Sequence, residues 1–137
     1  MRLGEIKIQA LELIFPSAEL EYDVENLNEV LFNLRANPSF SSYLSASVGA
    51  INRALSVIEA RQGEKTERIT HLTPSSHELN LGCGLSEIIP YFVKSDLLLS
   101  ESPSEAKDAR EIFDKLLSEV LKQSGTYSET VYSQGEL

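Results

Sequence analysis

The 137-residue chain has little positive charge, a single cysteine and no long apolar run. Twelve Lys and Arg against 21 Asp and Glu give a net charge of −9. This charge argues against a nucleic-acid binding protein, because duplex binding needs clustered cations. It also disfavours docking on anionic membranes. One cysteine excludes an internal disulfide and a cysteine-cluster zinc site. Apolar runs fall short of the roughly 20 residues that cross a bilayer, and the first residues do not resemble a signal peptide. These absences predict a soluble, acidic protein made in the cytoplasm.

The spacing of the apolar residues predicts a mainly α-helical fold, because they recur every three to four positions over most of the chain. The periodic segments are 5–15, a run after Asp23, 38–62, a run after Ser86, and 103–123. The stretch 38–62 is either one helix or two helices joined near residues 45–47. Short links between these segments favour a small antiparallel bundle of four or five helices.

Several helix ends carry local signals. Asp23 and Asn37 are typical N-caps, and Pro38 suits a first helical position. The sequence Ser102-Pro103-Ser104-Glu105 combines a capping box with proline at the first helical position. Gly63 is a typical helix stop. Pro90 is expected in or near the first turn of the helix after Ser86, where proline is tolerated.

The stretch 64–81 interrupts the helical pattern and predicts an inserted β-hairpin, spanning about 66–81. Ile69 and its neighbours favour a strand, Pro74 opens a turn-forming sequence, and Leu79 and Leu81 alternate with polar residues. An isolated hairpin is marginal in water. We therefore expect it to pack on its own helices or on a neighbouring subunit.

The predicted domain organisation is one helical domain, residues 1–123, followed by a flexible C-terminal arm, residues 124–137. The arm is small and mostly polar, and the residues that could anchor it are Tyr127, Val131 and Tyr132. We expect it to be mobile alone and able to become ordered on a partner.

Residues suited to catalysis are sparse. His71, His77 and Cys83 are spaced six residues apart and could meet as zinc ligands, but the spacing matches no familiar site. Cys83 next to a helix N-terminus could act as a nucleophile, although Glu87 would oppose its thiolate. Gly82–Gly84 lacks the third glycine of the dinucleotide fingerprint and the Gly-Lys of a phosphate loop. We expect no enzyme activity, no metal and no cofactor, with a Cys83 enzyme as the weakest alternative.

One stretch, Ile88 to Leu121, carries a recognisable pattern. It reads Ile-Ile-Pro-Tyr-Phe-Val-Lys-Ser-Asp-Leu, then an acidic Ser/Pro link, then Ser-Glu-Ala-Lys-Asp-Ala-Arg-Glu-Ile-Phe-Asp-Lys-Leu-Leu. This pattern resembles the head–tail connector (adaptor, or head-completion) proteins of tailed bacteriophages and of prophages in Gram-positive bacteria. Leu3–Lys7 and Ile51–Arg53 also resemble that family.

The resemblance implies a small helical subunit that self-associates into a ring under the portal protein, extends the DNA channel and docks a tail-completion protein. DNA would pass through without sequence-specific binding, and no membrane would be involved. The implied location is the host bacterial cytoplasm during assembly and then the head–tail interface of the virion. The alternative is a bacterial cytoplasmic adaptor or regulatory module that binds a partner protein through an apolar groove.

The residues expected to contact partners lie on the predicted hairpin and on the arm. They are Ile69, His71, Leu72, His77, Leu79, Tyr127, Val131 and Tyr132. The alternative for the apolar hairpin residues is that they simply cover the helical bundle, as such residues commonly do.

Overall fold

The computed structural model describes residues 1–82 and 84–124, and this part of the chain is built from five α-helices. The helices are α1 (Leu3–Ile14), α2 (Leu27–Arg35), α3 (Pro38–Gln62), α4 (Leu85–Leu97) and α5 (Pro103–Ser124). Two short 3-10 turns, Pro16–Ala18 and Val24–Asn26, lie between α1 and α2. The predicted mainly helical fold is therefore confirmed. None of the described helices is both long and apolar enough to span a membrane.

The local signals at both ends of α3 act as predicted, and α5 begins at the predicted Pro103. The predicted capping box of α5 does not form, because the Ser102 N–H donates to the Leu98 carbonyl at 2.8 Å and not to the Glu105 side chain. The Asn37 side chain accepts a hydrogen bond from the Ser39 N–H at 2.9 Å, and Pro38 is the first residue of α3. The helix continues unbroken for 25 residues and ends at Gly63, whose φ of 80° lies in the left-handed region. At the start of α5, the Ser102 hydroxyl donates to Glu105 Oε2 at 2.9 Å. Of the two alternatives for 38–62, the single helix is the observed one.

Helix α4 begins two residues earlier than predicted, since its start was expected after Ser86. Gly84, with a φ of 81°, precedes its first residue, Leu85, so Ser86 lies inside the first turn. Pro90 is therefore not in the first turn but inside the helix. The left-handed conformation of Gly84 explains the early start, because glycine turns the chain there without the strain of a side chain.

Helix α4 is central to the packing and lies against α1, α3 and α5, whereas α2 packs on α1 and α3. The main hydrophobic core forms around α4 and includes Phe113, Ile51 and Ile89, all fully buried. A smaller cluster lies between α1, α2 and α3; its buried members are Ile8, Leu11, Leu27, Leu31 and Leu44. Helices α1 and α3 contribute to both clusters and so connect them.

The predicted β-hairpin is wrong: no strand occurs among the described residues, and the segment 63–82 pairs with other parts of the chain. The N–H groups of Leu3 and Gly4 donate to the carbonyls of His77 and Ser75 at 2.8 and 2.9 Å, and the Leu79 N–H donates to the Met1 carbonyl at 3.3 Å. The first N–H groups of a helix have no partner within it. The segment supplies these partners to α1, so its extended backbone needs no second strand.

Candidate functional site

Two of the predicted contact residues belong to the core. Ile69 and Leu79 are 3% and 4% exposed and lie in the main cluster. Asn52 of α3 bonds both backbone groups of Ile69: its Nδ2 donates to the Ile69 carbonyl and its Oδ1 accepts from the Ile69 N–H, each at 2.9 Å. These two apolar residues thus cover the helical bundle, which was the alternative to a partner contact. They offer no surface to a partner.

The other residues of the segment are more accessible. Leu72 is 92% exposed, on a turn closed by the Thr73 N–H bond to the Thr70 carbonyl at 3.2 Å. His77 is half-buried, with Nε2 2.6 Å from Glu67 Oε1. His71 is exposed. Leu72 and His71 therefore remain available for contacts.

The metal hypothesis gains no geometric support in the part of the chain that the structure describes. Within residues 1–82 and 84–124, no group of three or more His, Cys, Asp or Glu side chains could hold a metal ion. Cys83 lies outside the described residues, as do Tyr127, Val131 and Tyr132. Of the predicted arm, 124–137, only Ser124 is described, where it ends α5.

After Leu72, the most exposed large apolar residues are two that the sequence analysis did not select. Phe32 on α2 is 73% exposed and Leu99, in the link between α4 and α5, is 66% exposed. Phe32 could have been found as the one aromatic residue of α2 that lies off the apolar stripe formed by Leu27, Leu31 and Leu34. Leu99 carries no comparable signal, because it directly follows Leu97 and Leu98 at the end of α4 and the sequence does not distinguish the three leucines.

Leu99 borders a groove between α4 and α5, named here the α4–α5 groove, with a volume of about 270 Å³. Its walls are Phe92, Ser95, Asp96, Leu99, Pro103, Ala106, Lys107, Arg110 and Glu111. Phe92 packs edge-to-face on Phe113 with ring centroids 5.1 Å apart, and the Arg110 guanidinium lies 4.9 Å from the Phe92 ring centroid. The groove is therefore mainly apolar, with a cation beside its aromatic wall.

Two contacts with α3 fix this groove. Arg53 holds Asp96 through three N–H to oxygen contacts of 2.5 to 3.2 Å, and the bond to Asp96 raises the pKa of Arg53. The Tyr43 hydroxyl donates to Glu101 Oε1 at 2.5 Å, which raises the pKa of Tyr43 because the bond stabilises the protonated phenol. Both contacts connect the α4–α5 region to the longest helix, so the groove is preformed.

Comparison with known proteins adds no relative to this description. No protein-family model, no curated protein and no solved structure matches the chain. The features that bear on the function of the chain are therefore its own residues, its helix packing, Phe32 and the α4–α5 groove.

Proposed function

We propose that this chain is a non-enzymatic structural protein of a tailed phage or prophage, a head–tail connector subunit. In this proposal it forms a ring under the portal protein, extends the DNA channel and docks a tail-completion protein. The observation that carries the proposal is a pair of unlike apolar features on separate parts of the molecule. Phe32 projects from α2, which packs on α1 and α3, whereas the α4–α5 groove lies on the helix pair formed by α4 and α5.

A closed ring requires unlike surfaces, because each subunit must contact the next head-to-tail through two different patches. Phe32 has the shape of a projection and the α4–α5 groove that of a recess. The groove volume of about 270 Å³ is ample for a phenyl ring, since an engineered cavity of about 150 Å³ binds benzene. In the proposed ring, Phe32 of one copy occupies the groove of the next. Full burial of such a side chain contributes roughly 1.5 to 3 kcal/mol.

The charge of the chain fits a DNA conduit. The net charge is −9, so a ring of these subunits repels DNA phosphates overall. Proteins that hold DNA instead place Lys and Arg where they displace counterions from the phosphates. An acidic ring lets DNA slide through without a fixed binding position.

The α4–α5 groove also favours the second candidate, an adaptor or regulatory module. A recess of this size that combines an aromatic wall with the Arg110 cation could receive an apolar side chain of a different protein. The two candidates differ in what Phe32 does. An adaptor needs the groove alone, whereas the ring needs both Phe32 and the groove.

The first prediction concerns assembly with the portal ring. The chain is mixed with a purified phage portal ring and imaged by negative-stain electron microscopy. We expect an added ring of density under the portal with the wild-type chain and none with Phe32→Ser or Leu99→Ser, since each removes one side of the contact. Ile112→Ser, which changes another partly exposed apolar residue of α5, is the control and is expected to assemble.

Mixing the two deficient variants separates head-to-tail contacts from self-pairing. A Phe32→Ser copy keeps its groove and a Leu99→Ser copy keeps Phe32, so the mixture is expected to form heterodimers, seen by analytical ultracentrifugation at high protein concentration. Dimers of either variant alone would contradict the ring contact. An unchanged portal image with the wild-type chain would contradict the connector function, and a groove that binds a partner protein regardless of Phe32→Ser would favour the adaptor.

A further inference from the structure

A second cavity, remote from the α4–α5 groove, lies where α1, α2, α3 and the segment 63–82 meet. Its volume is about 380 Å³, and its lining residues are Lys7, Arg35, Ser41, Leu44, Ser45 and His71. The cavity is lined by two basic side chains, a histidine and two hydroxyls, and none of its lining residues is acidic. Such a lining is unusual in a chain with 21 acidic and 12 basic residues.

The most informative residue of this cavity is Lys7, which is only 5% exposed. Within residues 1–82 and 84–124, Lys7 and Arg35 form no ion pair within 4 Å and their side chains make no hydrogen bond, whereas Arg2, Arg53, Arg68, Lys94 and Arg110 are each paired with a carboxylate. A buried ammonium without a counter-charge costs free energy. The folded protein therefore carries an unfavourable electrostatic free energy at Lys7, which a bound anion would reduce.

The pKa of Lys7 also indicates that its charged form is unfavourable in the cavity. Burial lowers the pKa of the Lys7 ammonium, and the nearby positive charge of Arg35 lowers the pKa further. The first effect reflects the low exposure of Lys7, and the second reflects the like charge of Arg35, which is itself exposed to solvent. An anion placed between Lys7 and Arg35 would reverse the second effect and offset the first.

The neutral donors indicate what kind of anion fits. Ser41 and Ser45 are four residues apart on α3 and so lie on the same face of the helix, next to Lys7 and Arg35 in the cavity wall. Arg35 adds a planar fork of N–H donors. We infer that this cavity is a binding site for a phosphate group, as inorganic phosphate or a phosphate monoester, because that group brings close to two negative charges and several acceptor oxygens to two cations and two hydroxyls.

The test is isothermal titration calorimetry of the full chain with inorganic phosphate, and with acetate at matched ionic strength. We expect saturable phosphate binding by the wild-type chain, weaker acetate binding, and an affinity for phosphate at least about tenfold lower in Lys7→Met and in Arg35→Gln, because each change removes one charge-assisted contact. Lys115→Met, which removes an exposed lysine of α5, is expected to bind like the wild type.

Thermal unfolding separates a binding site from a structural role. In chloride buffer, Lys7→Met is expected to unfold at a higher temperature than the wild type, because the variant no longer buries an unpaired charge. Phosphate is then expected to raise the unfolding temperature of the wild type and not that of the variant. An equal rise in both proteins would mark a general salt effect and overturn the proposal. Acetate binding as tight as phosphate binding would overturn it in favour of a carboxylate occupant. Arg35→Gln allows the same comparison if Lys7→Met does not fold.

Discussion

At the scale of single residues, Gly4 shows how tightly the start of α1 is packed. A Cβ atom at Gly4 would lie 2.9 Å from Ser75 Cβ and 3.2 Å from both Leu27 Cβ and the Ser75 carbonyl oxygen. The Gly4 N–H also donates to that carbonyl at 2.9 Å. Helix α1 and the segment 63–82 can approach this closely only because position 4 has no side chain.

The second prediction follows from this contact. Gly4→Ala is expected to lower the free energy of unfolding by roughly 1 to 3 kcal/mol, the usual cost of forcing extra volume into a packed interior. Urea denaturation followed by circular dichroism measures the loss. Gly49→Ala is the matched control, because its new methyl group would meet only the end of the Arg53 side chain, at 3.3 Å, and no backbone atom. In the middle of α3 that substitution should be neutral or stabilising by up to about 1 kcal/mol. Equal stability of the two variants would contradict the packing argument.

Single residues also show where sequence reasoning stops. Asn37 and Ser102 could be predicted as helix starts because each bonds within three residues of itself. Nothing near Gly4 in the sequence indicates its role, since Ser75 lies far along the chain. Lys7 could not be selected for the same reason: its unpaired state depends on Arg35 and His71, which only the tertiary packing brings to one cavity.

At the scale of elements, the segment 63–82 depends on side chains that replace the missing strand. Asn52 pairs with both backbone groups of Ile69, and Glu67 accepts from the Asn80 N–H at 3.1 Å while it contacts His77. The Thr66 N–H donates to Glu59 at 2.9 Å, which lowers the pKa of Glu59 because the bond favours the ionised carboxylate. The segment is therefore fixed to α3 by polar contacts and to the core by Ile69 and Leu79.

The third prediction tests the most buried of these contacts. Asn52→Ala leaves the N–H and the carbonyl of the buried Ile69 without partners, so we expect a loss of roughly 2 to 4 kcal/mol in the free energy of unfolding. The Ile69 amide should also exchange its hydrogen faster, as measured by nuclear magnetic resonance. Asn80→Ala, which changes an exposed asparagine of the same segment, is expected to leave that exchange rate nearly unchanged. Wild-type exchange in Asn52→Ala would show that other contacts hold the segment.

The error over this segment has a physical cause. Alternating apolar residues and a turn-forming sequence predict a hairpin because extended backbone needs hydrogen-bond partners. The pattern was interpreted as placing Ile69 and Leu79 on a partner-contacting surface, with a role in covering the bundle as the alternative, and the structure shows that both residues are buried in the core. The partners themselves were the start of α1 and the Asn52 side chain. A pattern of this kind predicts extended backbone but does not specify what pairs with it.

At the scale of the whole molecule, two hydrophobic clusters share helices α1 and α3. The smaller cluster is closed by edge-to-face contacts of Phe15 with Phe40 and Tyr43, at centroid distances of 5.2 and 5.4 Å. Because the same two helices also line the main core, neither cluster can dissolve without exposing part of the other. If residues 1–123 form one domain, as predicted, both clusters should unfold together.

The fourth prediction tests this coupling with one variant in each cluster. Leu31→Ala lies in the smaller cluster and Phe113→Ala in the main core, and both wild-type side chains are essentially fully buried. We expect losses of roughly 2 to 5 kcal/mol for Leu31→Ala and 3 to 5 kcal/mol for Phe113→Ala, with one calorimetric transition in each variant. If the Tyr22 and Tyr43 ring resonances in nuclear magnetic resonance spectra, which report on the smaller cluster, changed below the helix transition in Leu31→Ala, the chain would contain two folding units.

The surface of the whole molecule was harder to predict than its helices. Apolar periodicity identifies which side of each helix is buried, but it does not give the positions of the remaining apolar residues relative to one another. The α4–α5 groove takes its walls from two helices and a link, so no single segment contains it. Phe32 and Leu99 become a candidate pair of contacts only once α2 and α5 are seen to pack on different helices.

The bonds between the first turn of α1 and residues 75–79 also set an order of events during translation. Leu3 and Gly4 leave the ribosome long before His77 and Ser75, whose carbonyls they bond. At an elongation rate of about 5 to 20 residues per second, the interval lasts several seconds. During that time the apolar side of α1 has only α2 and α3 to pack against. The nascent chain therefore first assembles the smaller cluster, and the main core closes when α4 and α5 emerge.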